Sequence, residues 1–94
     1  MGLIRSFKNR NLRELFETGN KRGIPAQFSK RITKQLDVLN RARVLRDISL
    51  PGFNLHPLKG DRKGAWSIKV SGNWSLVFRF EGQDVYDIDF VVYH

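Results

Sequence analysis

At Pro51-Gly52 the hydrophobic pattern of this 94-residue chain changes its period, and no other feature constrains the fold as strongly. Before that dipeptide, apolar residues recur every three or four positions. After it they alternate. The first repeat lines one side of a helix, and the second lines one side of a strand. Pro and Gly together interrupt either pattern. The chain therefore divides into a helical half followed by a β half. A chain of 94 residues holds one domain and one modest core, so both halves must contribute to the same core.

In the helical half, Leu12, Leu15 and Phe16 stand at i, i+3 and i+4 of a first helix. Asn9 or Asn11 can cap it, because an Asn side chain accepts a bond from a free backbone N–H. Gly19 stands where such a helix commonly ends. A second helix opens near Pro25, a residue tolerated at the first helical position. Its stripe is Phe28, Ile32, Leu36 and Leu39, with Val38 and Ala42 beside it. Lys30, Arg31, Lys34, Arg41 and Arg43 lie mainly off the stripe and make the outer side basic. The spacing allows residues 43–50 one further turn of helix. Ahead of the first helix, Leu3, Ile4 and Phe7 suggest a short strand.

In the β half, Phe53 to Leu58 reads as a strand interrupted at Pro57, which suits a sheet edge. Trp66, Ile68 and Val70 alternate with Ser67 and Lys69. After the turn Ser71-Gly72-Asn73, Trp74, Leu76, Phe78 and Phe80 alternate with Ser75, Val77 and Arg79. Past Gly82-Gln83, Val85, Asp87 and Asp89 alternate with Tyr86, Ile88 and Phe90. These are meander signals. The predicted architecture is α+β, with two N-terminal helices packed on one face of a mainly antiparallel sheet in a single domain spanning residues 1–94. The helices should cover Trp66, Ile68, Trp74, Leu76, Phe78 and Phe80. Ser67, Lys69, Ser75, Val77 and Arg79 should then face the open side.

Charge and composition narrow the function. Residues 1–52 carry 12 Lys and Arg against 4 acids, and residues 53–94 carry 5 against 5, so the whole excess of +8 lies in the helical half. Such a field favours polyanions, nucleic acid first among them. With no cysteine, disulfides and thiol catalysis are excluded and the usual zinc patterns lose their main ligand. No apolar run approaches the ~20 residues of a membrane span, and no signal-peptide pattern is visible. A cytoplasmic protein is the expectation. Met1-Gly2-Leu3-Ile4-Arg5-Ser6 matches the myristoylation pattern formally, but Ile4 to Phe7 reads as the start of a strand.

The chain has two histidines, and imidazole is the side chain best suited to move protons near neutral pH. One is in His56-Pro57-Leu58-Lys59-Gly60-Asp61-Arg62, and the other follows Tyr93 at position 94. The strand reading brings His56, Lys59 and Arg62 to the open face from its first strand and the following loop. Tyr93 and His94 arrive from the last strand. Such a group can cleave RNA without a metal. A base takes the proton of the ribose 2′-hydroxyl, which attacks the adjacent phosphate. An acid protonates the leaving 5′-oxygen, and cations such as Lys59 and Arg62 stabilise the charged transition state. Each of these residues also has an ordinary reading as a solvated side chain.

The order Ile4-Arg5-Ser6-Phe7, two helices, His56-Pro57-Leu58-Lys59-Gly60-Asp61-Arg62, Trp66-Ser67-Ile68, Asn73-Trp74 and Tyr93-His94 resembles the HigB toxins of the RelE superfamily over essentially the whole chain. The resemblance implies a microbial-ribonuclease-like fold and an endoribonuclease that cuts mRNA on the translating ribosome without metal or other cofactor. Its implied partner is a HigA-like helix-turn-helix antitoxin, through which the pair would reach operator DNA. His56 matches the family's catalytic histidine, Lys59 a basic residue near the scissile phosphate, and Tyr93 and His94 the functional C-terminal pair. Arg62, Lys69 and Arg79 are the expected RNA-binding cations. Two positions depart from the family pattern. Ser75 stands where Arg often follows Asn-Trp, and Val92 where an acid often precedes Tyr-His. Arg79, two residue pairs along from Ser75 on the same predicted face, is a candidate substitute cation. Asp89 is a poorer substitute acid, since its face differs from that of Val92. An alternative reading follows: a catalytically attenuated ribosome- or RNA-binding module that acts mainly with its antitoxin in operon repression.

Overall fold

The computed structural model describes residues 3–60 and 64–92. Helix α1 spans Arg10–Thr18. Of the two possible caps, Asn9 is the one used: its side chain accepts the Leu12 N–H at 3.0 Å. Gly19 closes the helix at φ 78°, a left-handed conformation that glycine adopts without Cβ strain, and its N–H donates to Leu15 O. Asn9→Ala is expected to lower stability by about 1 kcal/mol, read from the urea midpoint, because one helix N–H loses its partner.

Helix α2 spans Ala26–Arg41, and Pro25 is its N-cap rather than its first residue, so the helix opens one residue later than predicted. Ile32, Leu36 and Leu39 are fully buried, as the stripe requires. Between them sits Gln35, a buried polar residue that periodicity does not reveal. Its Nε2 donates to the Lys69 carbonyl at 2.7 Å, and Arg31 Nη2 donates to the carbonyls of Gly52 at 2.9 Å and Lys69 at 3.3 Å. A burial that is otherwise costly thus becomes a clamp from the helix onto the sheet. The turn beyond α2 is a 3₁₀ helix, Leu45–Ile48. The Asp47 carboxylate accepts the Arg43 and Val44 N–H groups, and those bonds hold it below the usual carboxylate range.

The sheet is a meander in the order β1-β2-β3-β4, formed by His56–Pro57, Ala65–Ser71, Trp74–Glu81 and Asp84–Val92. All neighbours are antiparallel. The predicted strand from Phe53 to Leu58 shrinks to β1. Asn54, at φ 50°, turns the backbone out of the extended region before it. The predicted first strand forms only two isolated parallel bridges to β4, Ile4 with Val85 and Phe7 with Ile88. They cover the edge of β4 and shield its free backbone groups. Asn40 Oδ1 accepts the Ile4 N–H at 3.0 Å, tying this segment to α2 as well.

The core lies between the helices and one face of the sheet. Leu12, Ile32, Leu36, Leu39, Ile48, Ile68, Leu76, Phe78, Val85 and Ile88 are all wholly buried. Trp66, Trp74 and Phe80 pack against this core but keep partial exposure. Trp74 stacks on Phe90, with ring centroids 4.7 Å apart.

Two corrections concern the faces. The first is in β4, where strict alternation groups Val85 with Asp87 and Asp89. The observed register slips by one residue between Val77 and Arg79 of β3. The extra residue on β4 is Asp87, at φ 56°. Its N–H donates to Ser6 Oγ at 2.8 Å, which satisfies the amide that the bulge removes from the ladder. Val85, Ile88 and Phe90 consequently share the core side, and Asp87 and Asp89 turn to the open side. The second correction is that the open face is not uniformly solvated. Ser67, Ser75 and Val77 are buried. In the register Ser75 lies between Lys69 and Val91, Ser67 between His56 and Val77, and Val77 between Ser67 and Asp89.

Candidate active site on the open sheet face

The register sets out the open face in transverse rows. One row runs across all four strands as His56, Ser67, Val77 and Asp89. The next holds Lys69, Ser75 and Val91. On the other side, Ala65 pairs with Arg79 and Arg79 with Tyr86. Strands lie ~4.8 Å apart and two residues advance ~6.8 Å. These spacings place Lys69 about 8 Å and Arg79 about 12 Å from His56, Cα to Cα. The sheet therefore gathers His56, Lys69 and Arg79 on one face. Lys59 is exposed in the loop after β1. Arg62, Tyr93 and His94 lie outside the described residues.

His56 is exposed at the sheet edge, and its Nδ1 lies 2.9 Å from the Asn54 carbonyl oxygen. A carbonyl only accepts, so Nδ1 carries the proton in this contact. The neutral ring then keeps its lone pair on Nε2, the tautomer a general base needs. Asn54 presents that carbonyl from a left-handed backbone. Asn is among the few non-glycine residues that adopt this conformation readily, so the residue suits the turn.

The cations are held differently. Lys69 is exposed, while its backbone is fixed on both sides. Its N–H donates to Phe53 O at 2.7 Å, and its carbonyl takes the Gln35 and Arg31 bonds described above. Helix α2 thus sets the position of Lys69 from the far side of the sheet. Among the described residues Arg79 has only a loose ion pair, its Nε 3.6 Å from Glu81 Oε2, and its guanidinium lies over Gly64. A Cβ at position 64 would come within 3.1 Å of Arg79 Nη2, so the missing side chain leaves room for that group.

Beside Arg79, a recess of about 140 Å³ is lined by Lys8, Ala65, Val77, Arg79, Asp87 and Asp89. Sequence reasoning missed Lys8 and Asp87 as site residues. A signal was present: Val85 and Ile88 are both strongly apolar but three apart, a spacing that breaks a repeat of two and marks a bulge. Among the described residues, no three His, Cys, Asp or Glu side chains cluster as a metal site. No helix among them is long and apolar enough to cross a membrane.

A helix-backed sheet whose free face carries an imidazole and exposed cations is a small α+β domain with side chains of the kind that bind anions and transfer protons. Comparison with known proteins identifies the group. Residues 5–94 match the family described as the RelE-like toxin of type II toxin-antitoxin system HigB, and the chain belongs to that family. It is 41% identical over 92 residues to Endoribonuclease HigB of Proteus vulgaris, covering 98% of this chain and all of that protein. It is 29% identical over 76 residues to Toxin HigB-1 of Vibrio cholerae serotype O1, covering 79% of this chain and 80% of that one. As a type II toxin it has an antitoxin partner.

Proposed function

We propose that this toxin is a metal-independent endoribonuclease that cuts mRNA on the translating ribosome. The observation that carries the reading is the His56 ring, fixed through Nδ1 to the Asn54 carbonyl and open at Nε2. In the proposed reaction His56 and His94 share the roles of base and acid. The base accepts the 2′-hydroxyl proton as that oxygen attacks the phosphorus. The P–O5′ bond breaks, and the acid protonates the departing 5′-oxygen, leaving a 2′,3′-cyclic phosphate. Lys59 stabilises the charge that builds on the phosphate, and Tyr93 supports the C-terminal end of the site. Arg62, Lys69 and Arg79 hold the RNA backbone. With so few acid–base groups, speed depends on the substrate being held ready for in-line attack, which the ribosome supplies. The setting is the cytoplasm. The antitoxin is of the HigA-like helix-turn-helix type, and the pair reaches operator DNA through it.

Support comes from the relative named as an endoribonuclease, aligned over all but a few residues of this chain. The test is to map mRNA 5′ ends after adding the protein to translating ribosomes. Wild type should produce new ends inside codons. If wild type and His94→Ala cut equally, His94 has no role in proton transfer.

A second reading has its own observation. Ser75 is buried between Lys69 and Val91, so no cation occupies that row position on β3. One lost transition-state donor costs about 10²–10³ in rate. The natural chain would then be an attenuated nuclease that mainly binds RNA or the ribosome and acts with its antitoxin in operon repression. Ser75→Arg combined with Val92→Asp is expected to raise ribosomal cleavage by about 10²-fold or more under that reading. An unchanged rate removes it.

A further inference from the structure

Carboxylates are unexpected on a face that binds phosphates, yet the recess beside β4 holds two. Asp87 and Asp89 share it with Lys8 and Arg79, above Ala65 and Val77. Each acid uses one oxygen on the protein. Asp87 Oδ1 accepts from the Ser6 hydroxyl at 3.2 Å, and Asp89 Oδ1 accepts the Phe90 N–H at 2.9 Å. Among the described residues their second oxygens have no hydrogen bond. Among the described residues neither carboxylate forms an ion pair, although two cations line the same recess; Arg79 reaches Glu81 instead. Next to Val77 in the same row, the Ser67 hydroxyl is wholly buried and has no partner among the described residues. The recess therefore combines a small apolar floor, two cations and unused acceptors.

A phosphate does not suit this arrangement, because both carboxylates repel it. A nucleobase does. Its flat face can rest on Ala65 and Val77, and its edge carries donors for the carboxylates and acceptors for Lys8, while Arg79 at the rim stays with the backbone. An ionised carboxylate only accepts, so it selects an exocyclic amino group, as in the pairing of Asp or Glu with cytosine N4. Cytosine, adenine and guanine have such a group. Uracil lacks one and presents a carbonyl oxygen where cytosine has its amino group. An oxygen facing a carboxylate is repelled.

We propose that this recess is a base-reading subsite that accepts an amino-bearing base and rejects uracil, with Asp89 and Asp87 as the discriminating groups. The inference deepens the ribonuclease reading and rests on it only for RNA being the substrate. It adds a specificity element that the acid–base residues do not supply.

The test is fluorescence anisotropy of the full chain with short single-stranded oligo(C) and oligo(U) of equal length at fixed salt. The two share ring size and backbone, and they differ at the edge the carboxylates would read. Oligo(C) is expected to bind about tenfold more tightly. Asp89→Asn should bring that ratio close to one, because an amide can turn its N–H₂ toward uracil's carbonyl. The salt dependence, set by phosphate contacts, should stay unchanged. Asp87→Asn is a second variant that tolerates the left-handed backbone of the bulge. A wild-type ratio near one overturns the proposal, and so does a tenfold ratio that survives both substitutions. If either variant folds poorly by circular dichroism, the wild-type ratio and the other variant still decide. Failure of the two readings looks different. A protein that prefers oligo(C) but cuts no mRNA loses the nuclease reading and keeps the subsite. One that cuts mRNA and binds both oligomers equally loses the subsite alone.

Discussion

His56→Ala is expected to reduce mRNA cleavage on translating ribosomes by about 10²–10⁴-fold, the usual contribution of a positioned general acid or base. The urea midpoint should move little, because the ring is exposed and its one hydrogen bond is to a carbonyl that water can satisfy. The size of the effect follows from the Asn54 contact. It holds the ring in one tautomer and one orientation, so the reactive Nε2 is ready before substrate arrives. The measurement is the rate at which new 5′ ends appear, with variant and wild type compared at matched folded concentration. A loss of less than about tenfold would assign His56 to binding rather than to proton transfer.

Phe78→Ala should act in the opposite way, costing about 3–5 kcal/mol of stability without touching a reacting group. Phe78 is wholly buried on β3, which is paired on both sides. No adjacent element can collapse into the space without breaking the β2–β3 or β3–β4 ladder, so the cavity term adds to the transfer term. Domains of this kind have about 5–15 kcal/mol in total. The variant should therefore be largely lost in cells through unfolding, and its growth arrest should vanish together with its urea transition. His56→Ala should instead abolish arrest while the transition is kept. A Phe78→Ala protein with a wild-type urea midpoint would mean that the core is repacked around position 78.

The elements were legible in the sequence because their causes are local. The change of period at Pro51-Gly52 separates helices from strands. Gly19 is a usable stop signal because the left-handed conformation belongs chiefly to glycine. The core stripe of α2 and the apolar face of β3 follow from spacing alone; Ile32, Leu36, Leu39, Leu76 and Phe78 are buried as expected, and Phe28, Trp74 and Phe80 are half-buried. The site was half legible. His56, Lys69 and Arg79 fall on one face because alternation in β2 and β3 is regular up to Lys69 and through Arg79. In β4 the same rule fails at a single residue, since a bulge depends on a partner far away in sequence. Ser6 supplies that partner, 81 positions from Asp87.

What the sequence alone determined was the class of fold, the composition of the core and the presence of an acid–base group among cations. Period, capping and charge act over a few residues, and no distant partner can reverse them cheaply. The tertiary structure decided which faces the β4 acids take, which tautomer His56 holds and why a glutamine lies in the helical core. The tautomer depends on the Asn54 carbonyl two residues before the ring, turned back onto it by the local backbone; the other two each depend on one contact between distant segments, Ser6 with Asp87 and Gln35 with the Lys69 carbonyl. Such contacts form only after the helices have packed on the sheet, because hydrogen-bond geometry is satisfied within tenths of an ångström and periodicity positions a residue no more finely than one face of an element.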